Sequence, residues 1–176
     1  MPFVPELFQY VDAFFVETGT YQGETTERVY QNNPHTKIRT LELSDVFFNN
    51  CRQKFENHPT IEVFHANSKL ELYDCIQDID DHITFWLDGH WSGVANVGCD
   101  SETTCPVLFE LEQIKQHSIK THTIMVDDLR LMDNDHFPVT TEQIIQKVYE
   151  INPNYVITFH DDEYAKKDIL VAHIPK

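Results

Sequence analysis

A chain of 176 residues has the length of one domain with room for a sizeable core. Thirteen Lys and Arg against 29 Asp and Glu give a net charge of −16, which argues against a nucleic-acid or anionic-membrane surface, because phosphate binding needs a basic footprint. The balance suits a small-molecule substrate or a bound cation.

No apolar run is long enough to span a bilayer. Met1-Pro2-Phe3-Val4-Pro5 lacks the charged and apolar regions of a signal peptide, so a cytoplasmic setting is expected. Residues 1–12 read as a short lead-in with about one helical turn at Pro5-Glu6-Leu7-Phe8. The apolar run Phe14-Phe15-Val16 predicts a first strand over about 13–18. Gly19 and Gly23 follow, where the backbone must turn sharply or admit a ligand closely. A helix is expected from about Glu24 to Gln31, stopped by Asn32-Asn33-Pro34. Lys37–Glu42 reads as a second strand. Ser44 or Asp45 caps a helix to about Phe55, and His58-Pro59 breaks it. Thr60–His65 alternates as a third strand. Asn67-Ser68 caps a helix containing Leu70, Leu72, Tyr73 and Ile76.

Ile83–Asp88 reads as the fourth strand, followed by a long polar loop from Gly89 to Thr104 that carries Gly93 and Gly98. Loops of that length in a compact domain are usually functional. A helix over about 105–117, a fifth strand His122–Asp128, a second polar loop over 129–138 and a helix from Thr140 to about Glu150 complete the alternation. Tyr155–His160 and Ile169–Ile174 are the last two strands. The stretch Asp161–Asp168 between them is too short for a helical crossover, so they pair antiparallel. Alternating strands and helices predict one α/β domain over 1–176: a seven-stranded, mostly parallel sheet with helices on both faces and a C-terminal antiparallel hairpin. Cys51, Cys75, Cys99 and Cys105 contain no CxxC pair, which weakens a zinc reading. Cys51 and Cys75 fall in helical patterns. Cys99 and Cys105 share a polar loop and either close it as a disulfide or stay thiols, an intracellular setting favouring thiols.

In sheets of this kind, ligands sit at the carboxyl ends of the strands. Those ends carry Glu17 and Gly19, Glu42, Asn67-Ser68, Asp88, and Asp127-Asp128. A carboxylate at Glu42 can accept both hydroxyls of a ribose. Ser68 either caps a helix only or also touches an adenine edge. The fourth and fifth strands are neighbours in the expected order, so Asp88, Asp127 and Asp128 should converge. Their repulsion would be relieved by a hard divalent cation such as Mg²⁺.

The segments Val16-Glu17-Thr18-Gly19-Thr20-Tyr21-Gln22-Gly23, Leu41-Glu42-Leu43, Ala66-Asn67-Ser68, Phe85-Trp86-Leu87-Asp88-Gly89-His90-Trp91 and Val126-Asp127-Asp128 resemble those of class I S-adenosylmethionine-dependent methyltransferases, and specifically the metal-dependent O-methyltransferases of the catechol and macrocin types. The resemblance implies the Rossmann-like methyltransferase fold and methyl transfer to a hydroxyl of a small molecule. It assigns Glu17, Gly19, Gly23, Glu42, Ser68 and Asp88 to the cofactor. It gives Asp88, Asp127 and Asp128 to Mg²⁺; Asp88 and His90 are the catalytic candidates. Asp128 follows the macrocin-type pattern, since catechol-type enzymes have Asn there. Catechol-type enzymes also place a lysine base shortly after the fourth-strand Asp, where this chain has Gly89-His90-Trp91-Ser92-Gly93. His90 could be that base, since its ordinary pKa suits proton removal at neutral pH, or it could be a metal ligand or a plain loop residue. Only about twelve residues precede the first strand, too few for the helices that roof the family's substrate site, so the two polar loops or a partner subunit in a homo-oligomer would have to cover it. Trp91 and Phe137 either line an acceptor site or simply pack. Two other functions stand beside this one: a cofactor-binding module that no longer catalyses, and a metal-dependent hydrolase using Asp88, His90, Asp127 and Asp128.

Overall fold

The computed structural model describes residues 3–91, 104–133 and 137–175. Its strands are β1 (Phe14–Thr18), β2 (Lys37–Glu42), β3 (Ile61–His65), β4 (Ile83–Leu87), β5 (Thr123–Val126), β6 (Val156–His160) and β7 (Ile169–His173). Its helices are α1 (Glu24–Asn32), α2 (Asp45–Lys54), α3 (Ser68–Glu71), α4 (Val107–Ile114) and α5 (Thr141–Ile151), with short 3-10 turns at Pro5–Tyr10 and Leu129–Leu131. The seven strands form one sheet in the order β3-β2-β1-β4-β5-β7-β6. Strands β1 to β5 run parallel, and β7 lies antiparallel to both β5 and β6. The expected architecture is therefore present, hairpin included.

Strand alternation divides the core into two layers. Val16, Phe85, Ile124, Val126 and Leu170 point to one face, where they meet Leu72 and Ile76, Leu111 and Ile114 of α4, and Ile144 and Val148 of α5. Phe15, Trp86, Met125 and Val171 point to the other, against Val29 of α1 and Cys51 of α2. The lead-in belongs to this second layer. Phe3 and Leu7 are wholly buried, and the Phe3 ring stands edge-on to Trp86 with centroids 5.0 Å apart. Each of these two side chains contributes about 1.5–3 kcal/mol by leaving water.

Three elements differ from the sequence expectation. The helix opened by Asn67 is only one turn long. Beyond Glu71 the chain tightens into turns, with Ile76 N–H donating to Tyr73 O at 3.0 Å and Ile79 N–H to Ile76 O at 3.0 Å. The Arg39 guanidinium takes the Cys75 carbonyl at 2.8 Å. Helix α4 starts at Val107 because Pro106 occupies its N-cap. The polar stretch after β5 begins with the 3-10 turn at Leu129–Leu131. Cys51, Cys75 and Cys105 are buried free thiols, each pushed up to about 11 by burial. Cys99 lies outside the described residues. No helix among the described residues is long and apolar enough to cross a membrane.

Candidate active site

The turn after β1 is built by backbone geometry. Gly19 and Gly23 have φ of +81° and +72°, the left-handed region where glycine carries no Cβ penalty. Gly19 N–H and Thr20 N–H both donate to the Leu41 carbonyl, at 3.0 and 3.3 Å, tying the turn to β2. A Cβ on Gly19 would fall 2.3 Å from the Asp88 carbonyl oxygen, so the turn is closed directly against the end of β4. Beneath it Glu17, 1% exposed, accepts hydrogen bonds from Thr26 Oγ1 at 2.5 Å and Thr40 Oγ1 at 2.8 Å. Burial pushes its carboxyl up to about 7 against the pull of those two hydroxyls. The structure thus places Glu17 as a strut under the turn, while the backbone of Gly19 to Gly23 forms the rim. Helix α1 opens from Gly23 with no side chain capping it.

Glu42 stands on the adjacent rim. Its Oε2 accepts from Tyr21 N–H at 2.8 Å and its Oε1 from Ser44 N–H at 2.7 Å. Burial raises its carboxyl, and those backbone donors pull it back. Ser68 is the first residue of α3, and Asn67, not Ser68, caps the helix by accepting from Lys69 N–H at 3.1 Å. The Ser68 hydroxyl bonds instead to the carboxyl of Glu110, which Thr18 also faces. Glu110 is buried below Gly89, with its Oε1 and the Ser68 Oγ 3.0 and 3.2 Å from where a Gly89 Cβ would lie. Burial pushes it up to about 7. The sequence reading passed over Glu110. Its signal was there: Val107, Glu110, Leu111 and Ile114 share one helical face, and an acid on a buried stripe needs a reason.

The sharpest feature lies at the ends of β4 and β5. Asp88 N–H donates to Thr18 O at 3.2 Å and Asp127 N–H to Leu87 O at 3.3 Å, which holds the two acids beside each other at the sheet edge. His90 inserts between Asp88 and Asp128. Its Nε2 lies 2.7 Å from Asp128 Oδ2 and 3.2 Å from Asp88 Oδ1. Burial opposes charge on this imidazole, but Asp128 and Asp88 outweigh it and hold the ring protonated well above its ordinary range. Asp128 adopts φ 60° and ψ 39°, a left-handed conformation that Asp enters more readily than most residues other than glycine. It also pairs with Arg130, whose guanidinium reaches Asp168 as well and packs over Tyr164 at 5.2 Å. Burial raises the Asp128 carboxyl, but His90 and Arg130 prevail and hold it low.

Asp127 is different. It is 1% exposed and neither carboxylate oxygen has a hydrogen-bond partner. Burial, then Asp88 and Asp128, drive it well above the carboxylate range. It lines a cavity of about 10 Å³ with His90, Glu110, Cys105 and Met132, close to the least that a single water needs.

The expected trio is thus partly reassembled. Asp88, His90 and Asp128 offer ligand atoms within 4.8 Å of one another, while Asp127 groups with Asp128, Asp162 and Asp168 around Arg130. Asp128 belongs to both groups, so it joins the His90 cluster to the one around Arg130. Arg130, in a stretch read as polar loop, is the second residue missed. Phe137 packs its ring against His90 at 5.3 Å, and Trp91 N–H donates to Thr104 O at 2.8 Å, closing the base of the long loop. The loop residues 92–103 lie outside the described residues.

No protein-family model matches the chain, and no curated protein matches it in sequence. Solved structures do match in shape. A proposed methyltransferase from Streptococcus mutans, in complex with SAH, superposes with a TM-score of 0.63 at 10% identity, covering 98% of this chain and 99% of that one. A proposed rRNA methylase from Clostridium thermocellum gives 0.60 at 15% identity, over 95% and 91%. A proposed caffeoyl-CoA O-methyltransferase from Staphylococcus aureus gives 0.58 at 10%, over 97% and 78%. At such identities the likeness speaks for the backbone alone. With the strand order, the hairpin and the glycine turn at the end of β1, the chain has the Rossmann-like fold of the class I methyltransferases.

Proposed function

We propose that this chain transfers a methyl group from S-adenosylmethionine to a hydroxyl of a small molecule, assisted by a divalent cation. The observation that carries the reading is contiguity. The glycine turn packs on the backbone of Asp88 itself, so the rim suited to the cofactor and the acidic cluster suited to a cation are one surface. The residues fit both groups. The backbone of Gly19 to Gly23 and the uncapped start of α1 suit the methionine end of the cofactor. Glu42 keeps lone pairs for ribose hydroxyls beyond its two backbone donors, and Ser68 stands at the next strand end. Asp88, His90 and Asp128 would hold the cation, with the unpartnered Asp127 behind them.

When bound, the cofactor supplies an electrophilic methyl and the cation lowers the pKa of the acceptor hydroxyl. The chain's own part is positioning. Asp88 is fixed by Thr18, Asp127 by Leu87, and the turn by Leu41, so the two half-sites hold a set separation. His90, held protonated by two carboxylates, is a donor in this arrangement and becomes a base only after losing that proton. The net charge of −16 favours a small-molecule acceptor over the RNA named for the C. thermocellum neighbour.

One observation favours a second reading, a binding module without turnover: Arg130 and His90 already neutralise Asp128. Calorimetric titration with S-adenosylhomocysteine, in EDTA and in a divalent cation, followed by methyl transfer to a panel of hydroxylated acceptors, separates them. The proposed function expects binding in both conditions, turnover that requires the cation, and loss of turnover with retained binding in Asp88→Ala. Binding without any turnover selects the module. Absence of binding refutes both.

A further inference from the structure

We propose that His90 is a nitrogen ligand, so that the cation site selects a first-row divalent transition ion such as Mn²⁺, Co²⁺ or Zn²⁺ over Mg²⁺. The inference rests on the reading that a cation binds at the ends of β4 and β5, and it concerns which ion and through which atoms.

Three observations carry it. The first is the donor set. His90 Nε2 lies 2.7 Å from one oxygen of Asp128 and 3.2 Å from one of Asp88, and the three ligand atoms fall within 4.8 Å of one another. The imidazole therefore stands inside the carboxylate cluster, where an all-oxygen site would have a water. Mg²⁺ prefers oxygen ligands in a regular octahedron and keeps its waters. A set of one imidazole and two carboxylates follows the ordinary preference of Mn²⁺, Co²⁺, Ni²⁺ and Zn²⁺.

The second is the orientation of the ring. His90 Nδ1 is 3.3 Å from the Trp91 carbonyl oxygen, to which it donates. That bond puts a proton on Nδ1 and turns Nε2 inward. A histidine that binds metal through one nitrogen characteristically gives its other N–H to a backbone carbonyl or carboxylate. Phe137 against the ring face fixes the imidazole further.

The third is independent of the trio. Asp127 is almost completely buried at the same sheet edge and lines one small cavity with His90, yet neither of its oxygens has a hydrogen-bond partner. Buried polar atoms in native structures are nearly always paired. A buried carboxylate left unpaired on the cavity that His90 also lines points to a group that belongs there. Arg130 pairs with Asp128, Asp162 and Asp168, so those three acids of the second group already have a cation.

The test is calorimetric titration of the metal-free chain with MgCl₂, MnCl₂ and CoCl₂ separately, on wild type, His90→Gln and Asp88→Asn, with S-adenosylhomocysteine titrated into each as a check of the fold. Wild type is expected to bind Co²⁺ and Mn²⁺ at least 10-fold tighter than Mg²⁺. His90→Gln should lose most of that preference while its Mg²⁺ affinity changes less than about 3-fold, and Asp88→Asn should weaken all three ions. Pulsed electron paramagnetic resonance of the Mn²⁺-loaded chain should show coupling to one imidazole nitrogen in wild type and none in His90→Gln. Equal affinity of wild type for Mg²⁺ and Co²⁺, an unchanged preference in His90→Gln, or Mn²⁺ bound without nitrogen coupling would each overturn the assignment. S-adenosylhomocysteine binding with no nitrogen coupling rejects the ligand role alone. Its absence from a folded wild type rejects the function proposed above instead.

Discussion

Gly19 and Gly23 look alike in sequence, and the structure predicts that they respond differently to Ala. Both have positive φ, so either substitution incurs left-handed strain of about 1–2 kcal/mol. The difference lies in what the new Cβ meets. At Gly23 the nearest atom is the Phe55 ring at 2.7 Å, the end of a side chain that can swing aside. At Gly19 it is the Asp88 carbonyl oxygen at 2.3 Å, with the carbonyl carbon at 2.9 Å and Gly89 Cα at 3.0 Å. That carbonyl cannot yield alone, because Asp88 N–H is bonded to Thr18 O in the β1–β4 ladder. The ends of two central strands must separate by about an ångström or the turn must unfold. Gly19→Ala should therefore cost about 3–4 kcal/mol, strain plus an overpacking cost of about 2 kcal/mol, against about 1–2 for Gly23→Ala. Urea denaturation followed by circular dichroism measures both, and S-adenosylhomocysteine titration at low urea should show the larger loss in Gly19→Ala. Equal destabilisation by the two variants would refute the claim that the turn is braced by β4 backbone.

Other consequences follow from the buried charges. Glu17 titrates near 7 when folded against an ordinary 4.5, because burial disfavours its charge; the folded chain holds a proton the unfolded chain has released, so stability is greatest below about 4.5 and falls by about 3 kcal/mol as pH rises to 7. Glu17→Gln should remove most of that decline between pH 5 and pH 8 in denaturant titrations, and an unchanged slope would show that Glu17 is not the source. Asp127→Asn removes an unpartnered buried acid, so at pH 8 it should be as stable as wild type or more so by about 1 kcal/mol while binding divalent cations more weakly; a clear loss of stability would contradict the account of Asp127. Arg130→Met leaves Asp168 without its cation and Asp128 with His90 alone and should cost about 3 kcal/mol in the same assay, a wild-type midpoint being the contrary result.

Seven strands and the closing antiparallel hairpin were legible because each strand is a short apolar run closed by a turn signal, and because Asp161–Asp168 is too short to cross over. The acidic strand ends were legible for the same reason: once the strands are placed, Glu42, Asp88 and Asp127 fall at their ends automatically. What stayed hidden depends on side-chain direction. Glu17 looks like a ligand in sequence, yet Thr26 and Thr40 draw it under the turn. Ser68 looks like a cap, yet Asn67 caps and Ser68 turns to Glu110. The sharing of Asp128 between His90 and Arg130 depends on where two side chains from separate loops arrive, which no local pattern marks. The role of Phe3 and Leu7 also lay out of reach, since nothing in a twelve-residue lead-in says which face of the sheet it will cover.

The acidity of the chain and the architecture of its candidate site have a common logic. Acids at the strand ends repel one another, and a fold can keep them only by supplying counter-charge locally. Arg130 does this for Asp128 and Asp168, and His90 for Asp88 and Asp128, but neither reaches the oxygens of Asp127. Burial and the neighbouring acids hold Asp127 protonated instead, so an incoming cation gains a further carboxylate there by displacing that proton. On the proposed function two cations meet there, a divalent ion and a sulfonium, and methyl transfer consumes the second. The loss of that positive charge weakens the hold on the thioether product relative to the substrate, so the acidic strand end at Asp88, against which the glycine turn is packed, favours exchange of spent cofactor for fresh.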